Sequence, residues 1–247
     1  VLHEQLSLHW QPKVDLQSGA IIGAEALVRW LNPERGMVPP VEFISVAEES
    51  GLIIRIGDWV LEEACAQAKL WQLEGLPVTR IAVNLSARQF TPGLTDKVRN
   101  LLKRYALPAE WLELEITESM LMHSADSVIA LMDALVALGV TLSLDDFGTG
   151  YSSLSYLKRF PIKTLKIDRS FIEGTPDDAN DCAIAAAIVS MAKQLRHTVI
   201  AEGVETMEQA AFLRSLGCEE IQGYLFSPPV PADRFETFLR EGRTLAL

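Results

Sequence analysis

The chain of 247 residues carries 22 Lys and Arg against 33 Asp and Glu, a formal net charge of −11, and is 49% hydrophobic and 22% charged. That apolar content excludes a disordered chain, and the most apolar run, residues 182–192, is interrupted by Ser190 and falls short of the roughly 18 residues that a membrane-spanning helix needs. A pI near 4.9 excludes a protein that grips a long nucleic acid by its backbone, but leaves room for a small anionic ligand if a metal ion supplies positive charge.

The predicted elements alternate. Residues 6–10 and 20–28 read as strands flanking a turn at 17–19, so the chain starts as a hairpin. Residues 41–50 read as a helix stopped by Gly51, and 56–73 as a longer amphipathic helix ending before Gly75 and Pro77. Strand and helix then take turns: strand 80–85, helix 95–105 with Pro108 beyond it, strand 111–117, helix 125–138 stopped by Gly139, and strand 140–145. A Gly-containing loop and a short helix ending at Arg159 come next, then strand 163–167 and an Ala-rich helix 179–196. Strand 198–201, helix 207–216, a short strand 219–221 and a closing helix 232–240 complete the chain.

Such alternation means parallel strands joined by crossover helices, and about eight strands in a chain this long fit a closed (β/α) barrel better than an open sheet. No G-x-G-x-x-G follows a strand, so a dinucleotide-binding doubly wound sheet lacks its fingerprint. No composition break marks a second domain. Cys65, Cys182 and Cys218 are widely spaced and odd in number, and read as free thiols in a reducing compartment. The opening VLHEQLSLHW has neither an initiator Met nor a signal peptide, as expected of a domain excised from a longer protein.

In a barrel the carboxyl ends of the strands converge on one face, where such folds place their active sites. Here those ends are polar. The second strand runs into Glu25 and Arg29, the third ends at Asn84, and the fourth carries Glu115 with Glu118 just beyond. The fifth ends at Asp145 and Asp146, the sixth carries Lys166, the seventh ends at Glu202 followed by Glu205, and the eighth ends at Gln222. Any one of these carboxylates alone reads as solvated or ion-paired. Together they do not, because Glu115, Asp145 and Glu202 lie in otherwise apolar strands, where a charge is costly unless paired. Lys166 and Arg29 are the only obvious cations for Glu25, Glu115, Asp145, Asp146, Glu202 and Glu205. Crowded carboxylates raise one another's pKa values, and a divalent cation resolves the conflict.

The donors offer oxygen only, with no His or Cys among them, which suits Mg2+ or Mn2+, with Ca2+ as a bulky competitor, rather than zinc. Adjacent Asp145 and Asp146 suit two ions about 3.5–4 Å apart, the usual device for in-line phosphodiester displacement. His3, His9, His123 and His197 are scattered and read as surface or helix-end residues. Trp59, Trp71, Met132 and Met191 read as packing, whereas Trp10, beside Gln11, is left between packing and stacking on a ligand. The loop 146–153 holds two glycines and reads either as a connection or as a hinge for a segment that carries metal ligands.

EALVRW (25–30), NLSARQF (84–90), ELEITES (113–119), DDFGTGYSSL (145–154), LKIDRSF (165–171), AEGVET (201–206) and QGYLFSPP (222–229) occur in this order. The chain thereby resembles the EAL domains, bacterial cyclic di-GMP phosphodiesterases, from Gln11 to about Phe238. The resemblance implies an α/β fold, a modified (β/α)8 TIM-type barrel with one early antiparallel strand, with residues 1–247 forming a single EAL phosphodiesterase domain. It implies that Glu25, Asn84, Glu115 and Asp145 are metal ligands, with Asp145, Asp146 and Glu202 serving a second ion. It makes Lys166 and Glu202 the residues that orient or deprotonate the attacking water, and Glu205 the completion of their polar network. It has Glu118 hold the DDFGTGYSS loop, and it puts Gln11, Leu27, Arg29, Asp146 and Gln222 at the substrate.

The implied reaction is metal-dependent hydrolysis of cyclic di-GMP to linear pGpG, supported by Mg2+ or Mn2+ and inhibited by Ca2+. Implied partners are cyclic di-GMP, a second copy in a homodimer, and an upstream sensor or GGDEF domain in the parent chain, with no membrane contact by this domain. The domain is expected in the cytoplasm, whether or not the parent chain is membrane-anchored. Degenerate EAL domains bind cyclic di-GMP or a protein without hydrolysis, but they typically lose one or more of these residues, and all are present here. A barrel enzyme of other metal chemistry, such as enolisation, needs a Lys or His pair across the metal, and only Lys166 is available.

Overall fold

The hairpin that opens the fold is longer than its periodicity suggests. In this computed structural model, which describes residues 2–77, 80–118, 120, 125–149 and 157–246, β1 (Leu6–Asp15) pairs antiparallel with β2 (Ile21–Asn32), from Leu6 opposite Trp30 to Val14 opposite Ile21. Asp15 sets the turn: its Oδ1 accepts from the backbone N–H of Gln17 at 3.2 Å and of Ser18 at 2.7 Å. Gln11, Pro12 and Lys13 look like loop residues in the sequence, yet they continue β1 because Gln11 and Lys13 face a polar interior and are buried. His123, the second half of the 146–153 loop and most of the short helix expected before Arg159 lie outside the described residues.

A short strand that the sequence reading missed, β3 (Gly36–Val38), pairs antiparallel with β2 and turns the chain into α1 (Pro40–Ser50) and α2 (Ile53–Leu73). Helix α2 starts three residues before the expected 56 and includes Gly57. Gly57 is a point of close approach, where an added Cβ would stand 2.1 Å from Nε2 of Gln89. Then follow β4 (Ile81–Asn84), α3 (Gly93–Tyr105), β5 (Leu112–Thr117), α4 (Ala125–Val136), β6 (Thr141–Phe147), β7 (Thr164–Ile167) and α5 (Ala179–Gln194). The chain ends with β8 (Thr198–Ala201), α6 (Met207–Leu216), β9 (Glu220–Ile221) and α7 (Ala232–Arg240). Local chemistry marks the helix ends. Asp178 caps α5 by accepting from the N–H groups of Asn180 and Asp181, and Thr206 and Gln209 form a reciprocal capping box on α6, which Gly217 stops in a left-handed turn.

Strands β2 and β4 through β9 pair parallel in sequence order, and β9 returns to β1, which runs antiparallel to both its neighbours. This closes an eight-stranded barrel with β3 outside it as an extension of β2. Alternation within the strands sorts the residues into two layers. Leu114, Ile116, Leu142, Leu144, Leu165 and Ile167 are buried in the apolar layer under the helices, while Glu113, Glu115, Ser143, Asp145, Thr164 and Lys166 are buried on the alternate positions. A barrel interior is ordinarily filled with branched apolar side chains; here much of it is charged.

Trp10 belongs to the core and stacks on no ligand. It is 1% exposed, and its ring lies 4.7 Å from that of Trp71 in an edge-on arrangement, with Phe235 against Trp71 at 5.1 Å. Trp71 and Met132 are fully buried and bear out their reading as packing residues. Burial pushes the Cys65 and Cys218 thiols up to about 12, and the described cysteines are free. Trp71 ties β1, α2 and α7 together and donates from Nε1 to Glu236 at 2.8 Å. Trp71→Ala is therefore expected to destabilise the barrel by about 3–5 kcal/mol, read as a lowered urea midpoint; an unchanged midpoint would show that this cluster is not part of the cooperative core.

Candidate active site

Lys166, in the middle of β7, is 1% exposed and surrounded by carboxylates. Its Nζ lies 2.7 Å from Oε2 of Glu115, 2.7 Å from Oε1 of Glu202, 3.0 Å from Oδ1 of Asp145 and 3.8 Å from Oε2 of Glu25. Each partner comes from a different strand or strand end, brought level by the parallel register in which Asn84 pairs with Glu115, Thr117 with Asp145 and Lys166 with Ile200. Glu25, opposite Gln11 in the hairpin, accepts from Nδ2 of Asn84 and Nε2 of Gln222, and Gln222 also donates to Gln11 at 3.0 Å.

One ammonium among four carboxylates leaves the group short of positive charge. Burial, and then the charge of Glu115, raises Glu25 to about 7. Burial raises Glu202 to about 8, although Lys166 pulls it down. Burial pushes Glu115 up as well, but Lys13 and Lys166 outweigh it and hold this carboxyl at about 2. Burial lowers Lys166, yet Asp145, Glu115, Glu202 and Glu25 together raise it well above the usual range.

Lys13 corrects the sequence reading that Lys166 and Arg29 were the cations of this site. Its side chain is fully buried, with Nζ 2.6 Å from Oε1 of Glu113 and 2.7 Å from Oε1 of Glu115. Arg29 stands apart, with Nη1 donating to the carbonyl of Val28 at 2.9 Å. Glu205 also stands apart from the cluster around Lys166; it pairs with Arg169 at 3.0 Å. Lys13, Glu113, Arg80 and Arg169 were missed. A signal was there for two of them: Gln11 and Lys13, like Glu113 and Glu115, are two residues apart on one strand and so share a face.

Beyond β6 the chain turns sharply. Asp146 takes a left-handed conformation (φ 53), and its N–H donates to Oδ1 of Asp145 at 3.0 Å. Gly148 follows at φ 98, a conformation that L side chains rarely adopt, with the ring of Phe171 where a Cβ would sit. Its N–H donates to Oε2 of Glu118 at 3.3 Å, while Oε1 of Glu118 has no partner among the described residues. Oxygens of Asp145, Asp146 and Glu202 lie within 4.8 Å of one another, close enough to hold a metal ion.

The donor set fits a hard divalent cation. It is all oxygen, it carries excess negative charge, and burial holds two of its carboxyls partly protonated in the absence of a cation. Glu25, Asp145 and Glu202 open on a cavity of about 270 Å3 also lined by Gln11, Leu27, Arg169 and Tyr224. A second, more apolar cavity of about 310 Å3 shares Leu27 and adds Arg29, Asn84, Ile44 and Ile56.

The EAL domain family matches residues 1–229 of this sequence. The chain belongs to that family. It is 51% identical over 231 residues to the bifunctional diguanylate cyclase/cyclic di-GMP phosphodiesterase MucR of Pseudomonas aeruginosa, across 93% of this chain and 34% of that protein. It is 48% identical over 241 residues to the cyclic di-GMP phosphodiesterase NbdA of the same species, across 97% of this chain and 31% of that protein. A solved structure described as "PaMucR Phosphodiesterase, c-di-GMP complex" superposes with a TM-score of 0.90 at 50% identity, covering 94% of this chain and 95% of that one. The EAL domain thus spans about a third of the length of these curated relatives. Among its described residues no helix is long and apolar enough to cross a membrane.

The charge pattern sets a pH dependence for the metal-free EAL domain. Glu25 and Glu202 titrate at about 7 and about 8 when folded, above the ordinary 4.5, so the folded state binds the extra protons. Their contribution to stability is lost as pH rises from about 4.5 to about 8. Glu115, depressed to about 2, acts in the opposite sense and only as pH falls below 4.5. Urea midpoints in chelator are expected to fall between about pH 6 and about pH 8.5, and a divalent cation to flatten that fall; a rise over the interval would contradict these shifts.

Proposed function

We propose that this EAL domain hydrolyses cyclic di-GMP to linear pGpG with Mg2+ or Mn2+ as cofactor. The observation that carries the reading is the convergence of Glu25, Asn84, Glu115, Asp145, Asp146, Lys166 and Glu202 at the carboxyl end of one barrel, beside a cavity that adjoins a second, apolar one. The phosphodiesterase names of relatives about half identical over nearly the whole chain support it.

Glu25, Asn84, Glu115 and Asp145 would hold one ion, and Asp145, Asp146 and Glu202 a second. Such ions supply Lewis acidity, offsetting phosphoryl charge and making a water more acidic. Glu202, which lines the cavity, would accept a proton from the attacking water. The water oxygen bonds phosphorus, the ester bond to a 3′ oxygen breaks, and that oxygen takes up a proton. Lys166 holds Glu202 at 2.7 Å and keeps a fixed positive charge where anionic charge develops. Gln11 and Gln222 set the polar floor for the ligand, Leu27 its apolar edge between the two cavities, and Arg29 a cation at the second one. Glu118 presents Asp146 by holding Gly148, and Glu205 positions Arg169 at the rim.

The relatives' greater length, and the diguanylate cyclase named in one of them, support a parent chain that carries a sensor or GGDEF domain beside this one; the proposal extends to a homodimer acting in the cytoplasm. Incubation with cyclic di-GMP and separation of the nucleotides is expected to yield pGpG in Mg2+ and Mn2+ but little in Ca2+, whose bonds are longer, about 2.3–2.6 Å against about 2.0–2.1 Å. Tight binding without product in any metal would make the domain a receptor.

Two variants divide the roles. Glu202→Gln is expected to slow turnover by roughly 10²-fold or more while still binding cyclic di-GMP at saturating metal, and a wild-type rate would remove Glu202 as proton acceptor. Glu118→Ala is expected to lower turnover more than it weakens metal binding at Glu25, Asn84 and Glu115, in metal titrations with turnover measured in parallel. An unchanged rate at saturating Mg2+ would take Glu118 out of the mechanism.

A further inference from the structure

Below the site, the barrel holds a second layer of charge that the proposed reaction does not use. Lys13 bridges Glu113 and Glu115 at 2.6 and 2.7 Å, Oε2 of Glu113 lies 3.3 Å from Nε of Arg80, and Arg80 pairs in turn with Glu220. Charges therefore alternate from Lys166 through Glu115, Lys13, Glu113 and Arg80 to Glu220. Lys13, Glu113, Glu115 and Lys166 are all 1% exposed or less. At this depth an unpaired charge is very costly, so each member fixes the next.

Glu115 is gripped at both oxygens, Oε2 by Lys166 and Oε1 by Lys13. The two grips differ. Lys166 divides its ammonium among four carboxylates and stands at the cavity, where an entering cation competes with it. Lys13 does not line that cavity and is committed to Glu113 and Glu115. We propose that Lys13 is a positioning residue: by anchoring Oε1 of Glu115 it leaves Oε2 as the oxygen offered to the metal, and Glu113 with Arg80 keeps Lys13 in place. The inference rests on the reading of Glu115 as a metal ligand. Outer partners of this kind fix the orientation of a ligating carboxylate before the ion arrives.

The test is Mn2+ calorimetry on the metal-free domain without substrate, together with urea midpoints in chelator. It compares wild type, Glu115→Gln, Glu113→Gln and the pair Lys13→Met with Glu113→Gln, which removes one charge of each sign and keeps the interior balanced. Glu115→Gln is expected to weaken Mn2+ binding, and Glu113→Gln to keep it within about threefold of wild type. The pair is expected to bind roughly 10- to 100-fold more weakly than Glu113→Gln, with a urea midpoint close to that of Glu113→Gln. A pair that binds like Glu113→Gln, while Glu115→Gln is impaired, overturns the role of Lys13. Unimpaired binding by Glu115→Gln instead overturns the ligand reading beneath it. If the pair is marginally folded without metal, the Mn2+ dependence of turnover decides. A raised half-saturating concentration with the maximal rate regained supports the role, and a lowered maximal rate at unchanged half-saturation overturns it.

Discussion

The structure depends on a buried ammonium that cannot satisfy all the carboxylates around it. Lys166 touches Glu115, Glu202 and Asp145 within 3.0 Å and has Glu25 at 3.8 Å, all in the mouth of the barrel. Removing one partner of a buried ion pair typically costs about 3–5 kcal/mol, so the group is held together strongly, yet it remains negative overall. The shortfall appears as proton affinity, with Glu25 near 7 and Glu202 near 8. The charge that makes the metal-free barrel prefer protons is the same charge that makes it receptive to divalent cations, because a cation relieves the repulsion without protonating the ligands.

The antiparallel first strand makes this arrangement possible. A parallel β1 would need a crossover helix before β2, whereas the Asp15 turn returns the chain at once. The tight hairpin puts Gln11 opposite Glu25 and places Lys13 among the acidic residues of β5. Glu25 thereby receives amides from both sides of the seam, Asn84 from β4 and Gln222 from the segment after β9. Closure of the sheet and assembly of the site are one event. β9 contributes only Glu220 and Ile221 to the sheet, and Gln222, the next residue, already bonds Glu25 and Gln11.

Much of this was legible in the sequence. The order of strands and helices followed from apolar periodicity and from stop signals such as Gly51, Gly139 and Pro108, and the polar strand ends pointed to one face of a barrel. Glu25, Asn84, Glu115, Asp145, Lys166, Glu202 and Gln222 do meet there. The reading failed where a local rule and the barrel's needs diverged. Lys13 beside a proline looks like a solvated loop residue, because nothing within a few positions of it says that Glu113 and Glu115, a hundred residues away, will surround it. Trp10 beside Gln11 stayed open between packing and a ligand contact, because periodicity does not reveal that Trp71 of α2 takes that side. Each miss is a long-range contact read through a short-range rule.

The turn after β6 differs in kind from the strand it leaves. Asp145 is still in the strand and tied to Lys166, while Asp146, one residue later, is in a left-handed conformation that costs a non-glycine residue of order 1 kcal/mol or more. It is held by its own N–H on Asp145, by Thr149, whose Oγ1 donates to the Asp146 carbonyl at 2.8 Å, and by a hydrogen bond of 3.3 Å from Gly148 to Glu118. Glu115 has two ammonium partners, and Asp146 has none within 4.0 Å among the described residues. Burial and the charge of Asp145 raise its pKa. The two ends of the acidic cluster thus differ in kind. Glu115 is built into the barrel wall, and Asp146 sits in a left-handed turn braced by Thr149 and, through Gly148, by Glu118 just past β5. A cation held between them would meet one carboxylate fixed by two ammonium groups and another set by the backbone of this turn.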